Sequence, residues 1–427
     1  MSGDVVIVGG GAIGVSCALE LARAGAQVTL LEAASTLDVG CSSGNAGLLC
    51  PSHATPLASR AALRQGIRWS LSKTSPFALR LRPALLPWLA RFLAATGVER
   101  EERSTRLLRE LSIASLALHR ELGAQIGTGI VASGTLNVYE TEAGFAQAQT
   151  EAAGHTAAGM RAELLDPRTS CEAEPALIAP VAGSVFYPEE LSCDPAQFVH
   201  TVAAAAEAAG ALIRLRTEVL SLRAAHGRVV GLETTAGPLS ADTVVLAAGV
   251  WTAGLARTLG LRVPLQGGKG YHLDYAAADG DPRAPTFLRE AHVVITPLPG
   301  RLRLAGTLEL GGIDSSINRA RLEGIEQAAL RRIRGLPGRQ RLELWRGLRP
   351  CSPDGLPIIG RPAAYDNLLV ATGHAMLGFT LAPLTAQLIA ALAAGGEAPA
   401  ELLPLHPDRF RGLGGLLPGR AGTPGRR

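Results

Sequence analysis

Apolar and polar positions near the start of the chain fall into a short alternation of types. Asp4–Val8 is a β-branched run, and Gly9–Gly14 is a glycine turn. Val15–Ala24 then has helical spacing with Ala18, Leu19, Leu21 and Ala22 on one face. Gly25 stops that helix and Gln27–Leu31 reads as a second strand. The order predicts one βαβ unit of a parallel sheet.

Beyond it, Gly40–Pro56 is a loop of glycine, serine and asparagine, and Ala58–Ala95 is a basic stretch interleaved with Trp69, Phe77, Trp88 and Phe92. Ser104–Leu122 has helical spacing. Gly129–Glu140 predicts an antiparallel strand, with a helix after it to about Ala153. Pro195 suits the first turn of an alanine-rich helix ending at Ala209. Strands are expected at Leu212–Arg216, Val219–Leu222, Val229–Thr234 and Thr243–Ala247, then near Gly270–Tyr275, His292–Thr296 and Leu302–Leu304. Leu368–Leu392 returns to a strand–helix pair. Strand–helix units at both ends thus enclose two strand-rich insertions, an α/β (α+β overall) chain with a discontinuous first domain and a second domain on a mixed sheet.

Composition narrows this little. The 427 residues are 47% apolar and 18% charged, with 50 glycines and 27 prolines, which excludes global disorder and collagen-like repeats. A net charge of +4 is too slight to imply nucleic acid. Lys73 and Lys269 are the only lysines, a skew that reads as genome composition. The six cysteines show no metal-ligand spacing, so no metal is expected, and reduced thiols favour a cytoplasmic location. The first apolar run lacks the basic flank and cleavage site of a secretory signal. Residues 367–396 carry no formal charge, but Gly373, His374, Gly378 and Pro383 interrupt them, so strand, turn and buried helix are expected rather than a membrane span.

Four segments carry chemistry. Gly9-Gly10-Gly11-Ala12-Ile13-Gly14 is G-x-G-x-x-G directly after a strand: Gly9 permits the turn, Gly11 lets backbone approach a pyrophosphate, and Gly14 lets helix and strand pack. Glu32 ends the second strand, where a carboxylate accepts from ribose hydroxyls. This motif predicts a bound dinucleotide without choosing NAD or FAD. Ser42-Ser43-Gly44-Asn45-Ala46-Gly47 offers small residues and backbone N–H groups to a planar ring. The strand Thr243–Ala247 ending at Ala248-Gly249 returns backbone to the cofactor. Gly373-His374-Ala375-Met376-Leu377-Gly378-Phe379-Thr380 leads into a helix whose positive end suits negative charge on a flavin, with His374 stacking or donating near the ring or else satisfying local backbone.

In this order the segments resemble the amine- and amino-acid-oxidising flavoproteins that include D-amino acid oxidase, glycine oxidase and sarcosine oxidase, with the nearest likeness to bacterial D-amino acid dehydrogenases. Pro83–Phe92, Lys269-Gly270-Tyr271, Gly347-Leu348-Arg349-Pro350, Pro353-Asp354-Gly355 and Gly373-His374 extend the likeness over residues 4–400. It implies a Rossmann-like FAD-binding domain from residues 1–60, 100–128, 190–260 and 345–411, and a substrate domain from 129–189 and 261–344. Residues 61–99 are left as a basic helical segment and 412–427 as a disordered tail. FAD is expected to bind non-covalently, because the spacing of Cys351 does not match the sarcosine-oxidase attachment site. Cofactor contacts are expected at Gly9, Gly11, Ala12, Ile13, Gly14, Glu32, Ser43, Asn45, Gly47, Val219, Gly249, Gly373, His374, Leu377, Gly378 and Thr380.

The likeness further implies that Arg349 holds a substrate carboxylate, for which a guanidinium fork is suited, unless it makes a structural ion pair. Tyr271 is expected either to reach the same carboxylate or to pack in the core. Met376 stands where the glycine-oxidase pattern has arginine and implies a more apolar pocket. The implied reaction is oxidative deamination of a D-amino or imino acid by hydride transfer from Cα to flavin N5. Positioning does most of the work and no protein base is assigned; His53, His272 and His374 are candidates for tuning amine protonation. Electrons would pass to a non-oxygen acceptor such as a quinone. The alternatives are an O2-using oxidase of the same fold, the flavin subunit of a larger assembly, and an NAD-linked enzyme. Ten arginines and Lys73 between Arg60 and Arg109 suit either peripheral contact with the inner face of a membrane or a solvated helical face. Arg331–Arg349, also basic, reads by default as a solvated helix.

Overall fold

The computed structural model describes residues 3–60, 75–80, 82–397 and 399–416. Strand β1 (Asp4–Val8), helix α1 (Ala12–Arg23) and strand β2 (Gln27–Leu31) form the expected unit, with β1 and β2 parallel. They sit in a six-stranded sheet with β9 (Leu212–Arg214), β13 (Thr243–Leu246), β19 (Ile358–Gly360) and β20 (Leu368–Thr372), in the order β19-β20-β13-β1-β2-β9. All neighbours are parallel except β19 against β20. Val5, Ile7, Val28, Leu30 and Val245 face a layer built from α1, α3 (Val98–Ile126), α6 (Pro195–Ala208) and α9 (Ala382–Ala393). Val6, Val8, Leu31, Val244 and Leu246 face a three-stranded meander, β10 (Val219–Ala225), β11 (Arg228–Thr234) and β12 (Gly237–Leu239), and helix α7 (Thr252–Thr258). Burial on both faces explains why these strands read as continuous apolar runs.

The second sheet has nine strands: β18 (Arg341–Cys351), β14 (Gln266–Ala276), β17 (Arg301–Leu310), β16 (Val293–Leu298), β15 (Thr286–Leu288), β5 (Thr135–Tyr139), β7 (Gly183–Tyr187) and β6 (Glu163–Leu165), with β4 (Phe77–Leu79) added beside β17. One face packs on α8 (Arg319–Arg332) through Leu273, Leu304, Ile325 and Ala329. Helices α4 (Glu142–Ala157) and α5 (Pro167–Ala173) flank β7 and β6. A short pair, β3 (Leu48–Leu49) and β8 (Leu191–Ser192), joins the two regions. Helix α2 (Leu86–Ala95) covers the outer edge through Trp88 and Phe92, and the Trp88 indole N–H donates to the Cys351 carbonyl at 3.0 Å.

Four expectations change. Arg331–Arg349 is not one solvated helix: α8 ends at Arg332, and Arg341–Cys351 is a strand paired antiparallel along β14. Its leucines and arginines suit either element, and long-range pairing with β14 decides. The boundary expected at residue 345 therefore falls inside β18, a strand of the second sheet. Among the described residues of 61–99, Pro83–Leu85 is a 3-10 turn, Leu86–Ala95 is α2, Val98 and Glu99 begin α3, and Phe77–Leu79 is a strand; residues 61–74 and 81 lie outside the described residues. The strand within Gly129–Glu140 pairs antiparallel with β7 but parallel with β15. Of the tail, 412–416 complete a 3-10 helix, Pro407–Leu416, and 417–427 lie outside the described residues.

Two outcomes test this packing. A Cβ at Gly14 would fall 1.8 Å from the Gly9 carbonyl oxygen, so Gly14→Ala should lower stability by about 1 to 3 kcal/mol in urea unfolding. His119 in α3 is buried, with Nε2–H donating to the Phe379 and Thr380 carbonyls at 3.2 and 3.0 Å. Burial outweighs those bonds and pushes its pKa down to about 4. The folded state therefore favours the neutral ring, a contribution complete above about pH 6.5 and lost as pH falls toward 4. Unfolding free energy should drop over that window, and His119→Asn should make the drop shallower.

Candidate active site

The nucleotide fingerprint has the geometry its spacing implies. Gly9 takes φ +110°, and the Gly14 contact leaves no room for a side chain. A Cβ at Gly11, by contrast, would meet only Ser42 Oγ, at 3.1 Å, so this turn is open on its outer side. Ser42 Oγ accepts from the Ala12 N–H at 3.0 Å, a contact that sequence reasoning missed. Glu32 Oε2 accepts from Gly10 N–H at 2.7 Å and Oε1 from Ala34 N–H at 2.9 Å, each oxygen keeping a lone pair for a ribose hydroxyl. Ala12 is buried and Ile13 packs on the helical core. Val219 begins the meander beside Val8 and Leu31, two residues after Thr217, whose N–H donates to the Glu32 carbonyl at 2.8 Å.

The loop at 42–47 lies between the two sheets. Ser43 Oγ donates to the Leu37 carbonyl, the Asn45 N–H to Ser42 O, and the Gly47 N–H to Asn45 Oδ1. The Gly44 and Ala46 amides have no acceptor among the described residues. On its far side the turn at 373–380 is tied to β18: Ala375 N–H donates to the Pro350 carbonyl at 2.9 Å, and Ala375 takes φ +48°. Thr372 Oγ1 donates to Gly249 O and Thr380 Oγ1 to Leu48 O, while Leu377 packs on the helical core.

Strand register shows what faces this site. Asn137, Phe287, Val294, Ala305, His272 and Trp345 are successive partners across β5, β15, β16, β17, β14 and β18, so their side chains share one face. Gly268, Gly270, Gly347 and Arg349 lie on the same face, where glycines leave space. The Arg349 side chain crosses Gly270, where a Cβ would fall 2.1 Å from Nη1, and Nη1 donates to the Thr307 carbonyl at 2.9 Å. No carboxylate pairs with this guanidinium among the described residues, and the remaining residues contain no Asp or Glu. Burial lowers its pKa from the ordinary value, yet a guanidinium stays charged. An internal ion pair is thus not its role; it is a cation with an open fork.

The same register corrects Tyr271. It lies on the opposite face, in the core with Leu273 and Leu304, its hydroxyl donating to Glu309 Oε1 at 2.8 Å and accepting from the Asn318 N–H at 3.1 Å. Odd positions of β14 face α8, so Tyr271 cannot meet a carboxylate held by Arg349. His374 does not present Nε2 to a ring; that nitrogen pairs with Thr385 Oγ1 at 3.1 Å, burial pushes its pKa down to about 3, and the buried Nδ1 has no partner. Met376, 42% exposed, follows Ala375 and so sits beside the Arg349 strand. His53 Nε2 bonds Asn137 Oδ1 at 3.0 Å, its ring edge meets Phe287, and burial pushes its pKa down to about 3. Sequence reasoning missed the contributions of Asn137, Phe287 and Gly270; the alternation along β14 was the available signal.

The donor set fits a flavin dinucleotide: a glycine cradle open at Gly11, a carboxylate at Glu32 with lone pairs to spare, and amides at Gly44 and Ala46 that have no acceptor among the described residues. Comparison with known proteins agrees. Residues 4–392 match the model of the family described as FAD dependent oxidoreductase. A D-amino acid dehydrogenase of Paramagnetospirillum magneticum is 34% identical over 416 residues, 95% of this chain and 98% of that protein. One from Methylobacterium nodulans is 34% identical over 403 residues, 92% of this chain and 95% of that protein. The crystal structure of glycine oxidase from Geobacillus kaustophilus superposes with a TM-score of 0.78 at 26% identity, covering 96% of this chain and 99% of that one. The chain belongs to the family of FAD dependent oxidoreductases.

Proposed function

We propose that this enzyme carries out oxidative deamination of a D-amino or imino acid, holds FAD non-covalently, and passes electrons to a carrier other than oxygen. The observation that carries the proposal is Arg349, a cation with no carboxylate of its own, laid over a bare strand in the gap between the two sheets. The relatives named D-amino acid dehydrogenase support the substrate class. FAD, when bound, supplies the hydride acceptor.

The chain's own residues bind and orient. The Arg349 fork takes the substrate carboxylate, and Phe287, Val294 and Ala305 form an apolar floor along the shared face. His53 and His374 are neutral at working pH because both are depressed to about 3, so neither is placed as a charged group or as a base. Met376 borders the same gap. Cofactor contacts are proposed at the glycine fingerprint, Glu32, the loop from Ser43 to Gly47, Val219, Gly249 and the turn from Gly373 to Thr380. Burial pushes the Cys351 thiol up to about 12, which leaves it a poor nucleophile and supports non-covalent binding.

No helix among the described residues is long and apolar enough to cross a membrane. A peripheral contact that would deliver electrons to a quinone is supported by Leu86 and Leu93, 57% and 53% exposed on one face of α2, near Arg82 and Arg100. The likeness to glycine oxidase favours one second reading, reoxidation by O2. Rapid recovery of the oxidised flavin spectrum in air would select it over the dehydrogenase.

Steady-state turnover of the purified chain with a panel of D- and L-amino acids and a dye acceptor tests the proposal. A colourless protein, or a yellow one inert to every amino acid, contradicts it. Loss of a buried charge-assisted pair costs about 2 to 5 kcal/mol, so Arg349→Ala should raise KM by at least about thirtyfold with the preferred substrate. An unchanged KM would remove Arg349 as the anchor.

A further inference from the structure

A polar cluster of the second sheet lies beneath the 42–47 loop. One row of the second sheet, adjacent to the row of Phe287 and Ala305, carries Thr296, Arg303, Asp274 and Glu343 as successive partners. Arg303 and Asp274 are almost wholly buried. They pair in a fork: Nε to Oδ1 and Nη2 to Oδ2, both at 2.9 Å. Arg301 Nε also reaches Asp274 Oδ2 at 2.9 Å, and Arg301 Nη2 reaches Asp194 Oδ2 at 2.7 Å, so the carboxylate is held by two cations.

That leaves Arg303 Nη1, which donates to the Ser43 carbonyl at 3.0 Å and the Asn45 carbonyl at 2.7 Å. The carbonyls between and after these are held too. His272 Nδ1–H donates to Gly44 O at 3.1 Å, and Thr296 Oγ1 to Ala46 O at 2.8 Å. Trp345 stacks on His272 and fills the space where a Gly44 side chain would be, its ring 2.2 Å from that Cβ position. Four consecutive carbonyls are therefore drawn toward the second sheet by side chains of that sheet.

In a trans peptide the N–H points opposite to the C=O of the same plane. The planes of Ser43 and Asn45, which Arg303 holds, carry the N–H groups of Gly44 and Ala46. Neither of these amides has an acceptor among the described residues. The other two planes carry the Asn45 and Gly47 N–H groups, which are already bonded within the loop. We infer that Arg303, aligned by Asp274, is a positioning residue that turns the Gly44 and Ala46 N–H groups toward the flavin ring and, as a cation on their carbonyls, strengthens them as donors. Polarisation along a hydrogen-bonded chain supplies the second effect. The inference rests on the proposal that the Asn45 loop faces the flavin. It assigns the tuning of the ring to a side chain that does not touch it.

The test compares Arg303→Lys, which keeps the buried charge but loses the fork, with Thr296→Val, which breaks a bond of similar length to the same loop on a plane whose N–H is already used. FAD affinity, the absorption band of the bound flavin and its reduction potential are measured for each, with thermal unfolding of the FAD-free chain as the stability control. Arg303→Lys should bind FAD at least about tenfold more weakly, with a shifted band and a lower potential, whereas Thr296→Val should change affinity by less than about twofold. Equal effects from the two variants, or no effect from Arg303→Lys, would overturn the inference. A reading independent of folding comes from amide exchange in the unaltered chain: Gly44 and Ala46 should become protected when FAD is added. Exchange as fast with FAD as without it contradicts the inference. Failure of the unaltered chain to bind FAD at all instead defeats the functional proposal.

Discussion

Everything proposed for this enzyme depends on a guanidinium that lies flat across a strand position without a side chain. Gly270 lets Arg349 cross β14 and reach the carbonyl of Thr307 on β17, placing a permanent charge over the interior of a sheet instead of at its edge. A charge in such a place is costly unless an anion meets it. The described residues offer backbone oxygen and two thiols nearby, but no carboxylate. In the proposed reading the substrate's own acid group answers that deficit, and its binding would fix where the adjacent carbon sits.

The second requirement is that the cofactor loop keep one conformation between two independently packed sheets. The first sheet supplies the fingerprint and helix α1, whose shape is set by backbone contacts that exclude a side chain at Gly14. The second supplies a grip on the same loop through Arg303, His272 and Thr296. The proposed carboxylate anchor and the proposed ring position are thus referred to one surface, the shared face of β14, β17 and β18. Burial alone would raise the Asp274 carboxyl, but the bidentate Arg303 contacts, followed by His272 and Arg301, hold it below its ordinary value. The pair stays charged as acidity rises moderately, and the loop stays held.

Local features were the legible ones. β1, the glycine turn, β2 and Glu32 follow from neighbouring residues, and their strand bounds agree with the periodicity. The Gly-Leu-Arg-Pro setting singles out Arg349 in the sequence, but that its side chain crosses Gly270 is visible only in the paired strands. Features that depend on register were not. Tyr271 sits next to Gly270 in sequence, yet the period of two puts it on the far face, bonded to Glu309. Arg341–Cys351 has a composition open to helix or strand, and only its pairing with β14 settles the matter. The Arg303–Asp274 fork joins two strands whose alignment no single segment reveals, so its meaning emerged only from the folded sheet.

The most direct test of the central claim is a titration of the FAD-loaded chain with two non-oxidisable probes, a short carboxylic acid lacking the amine and its carboxamide. The acid should perturb the flavin absorption band and bind at least about tenfold more tightly than the amide, a preference that Arg349→Met abolishes. Equal binding of acid and amide, or an acid preference that survives loss of the guanidinium, would contradict the account.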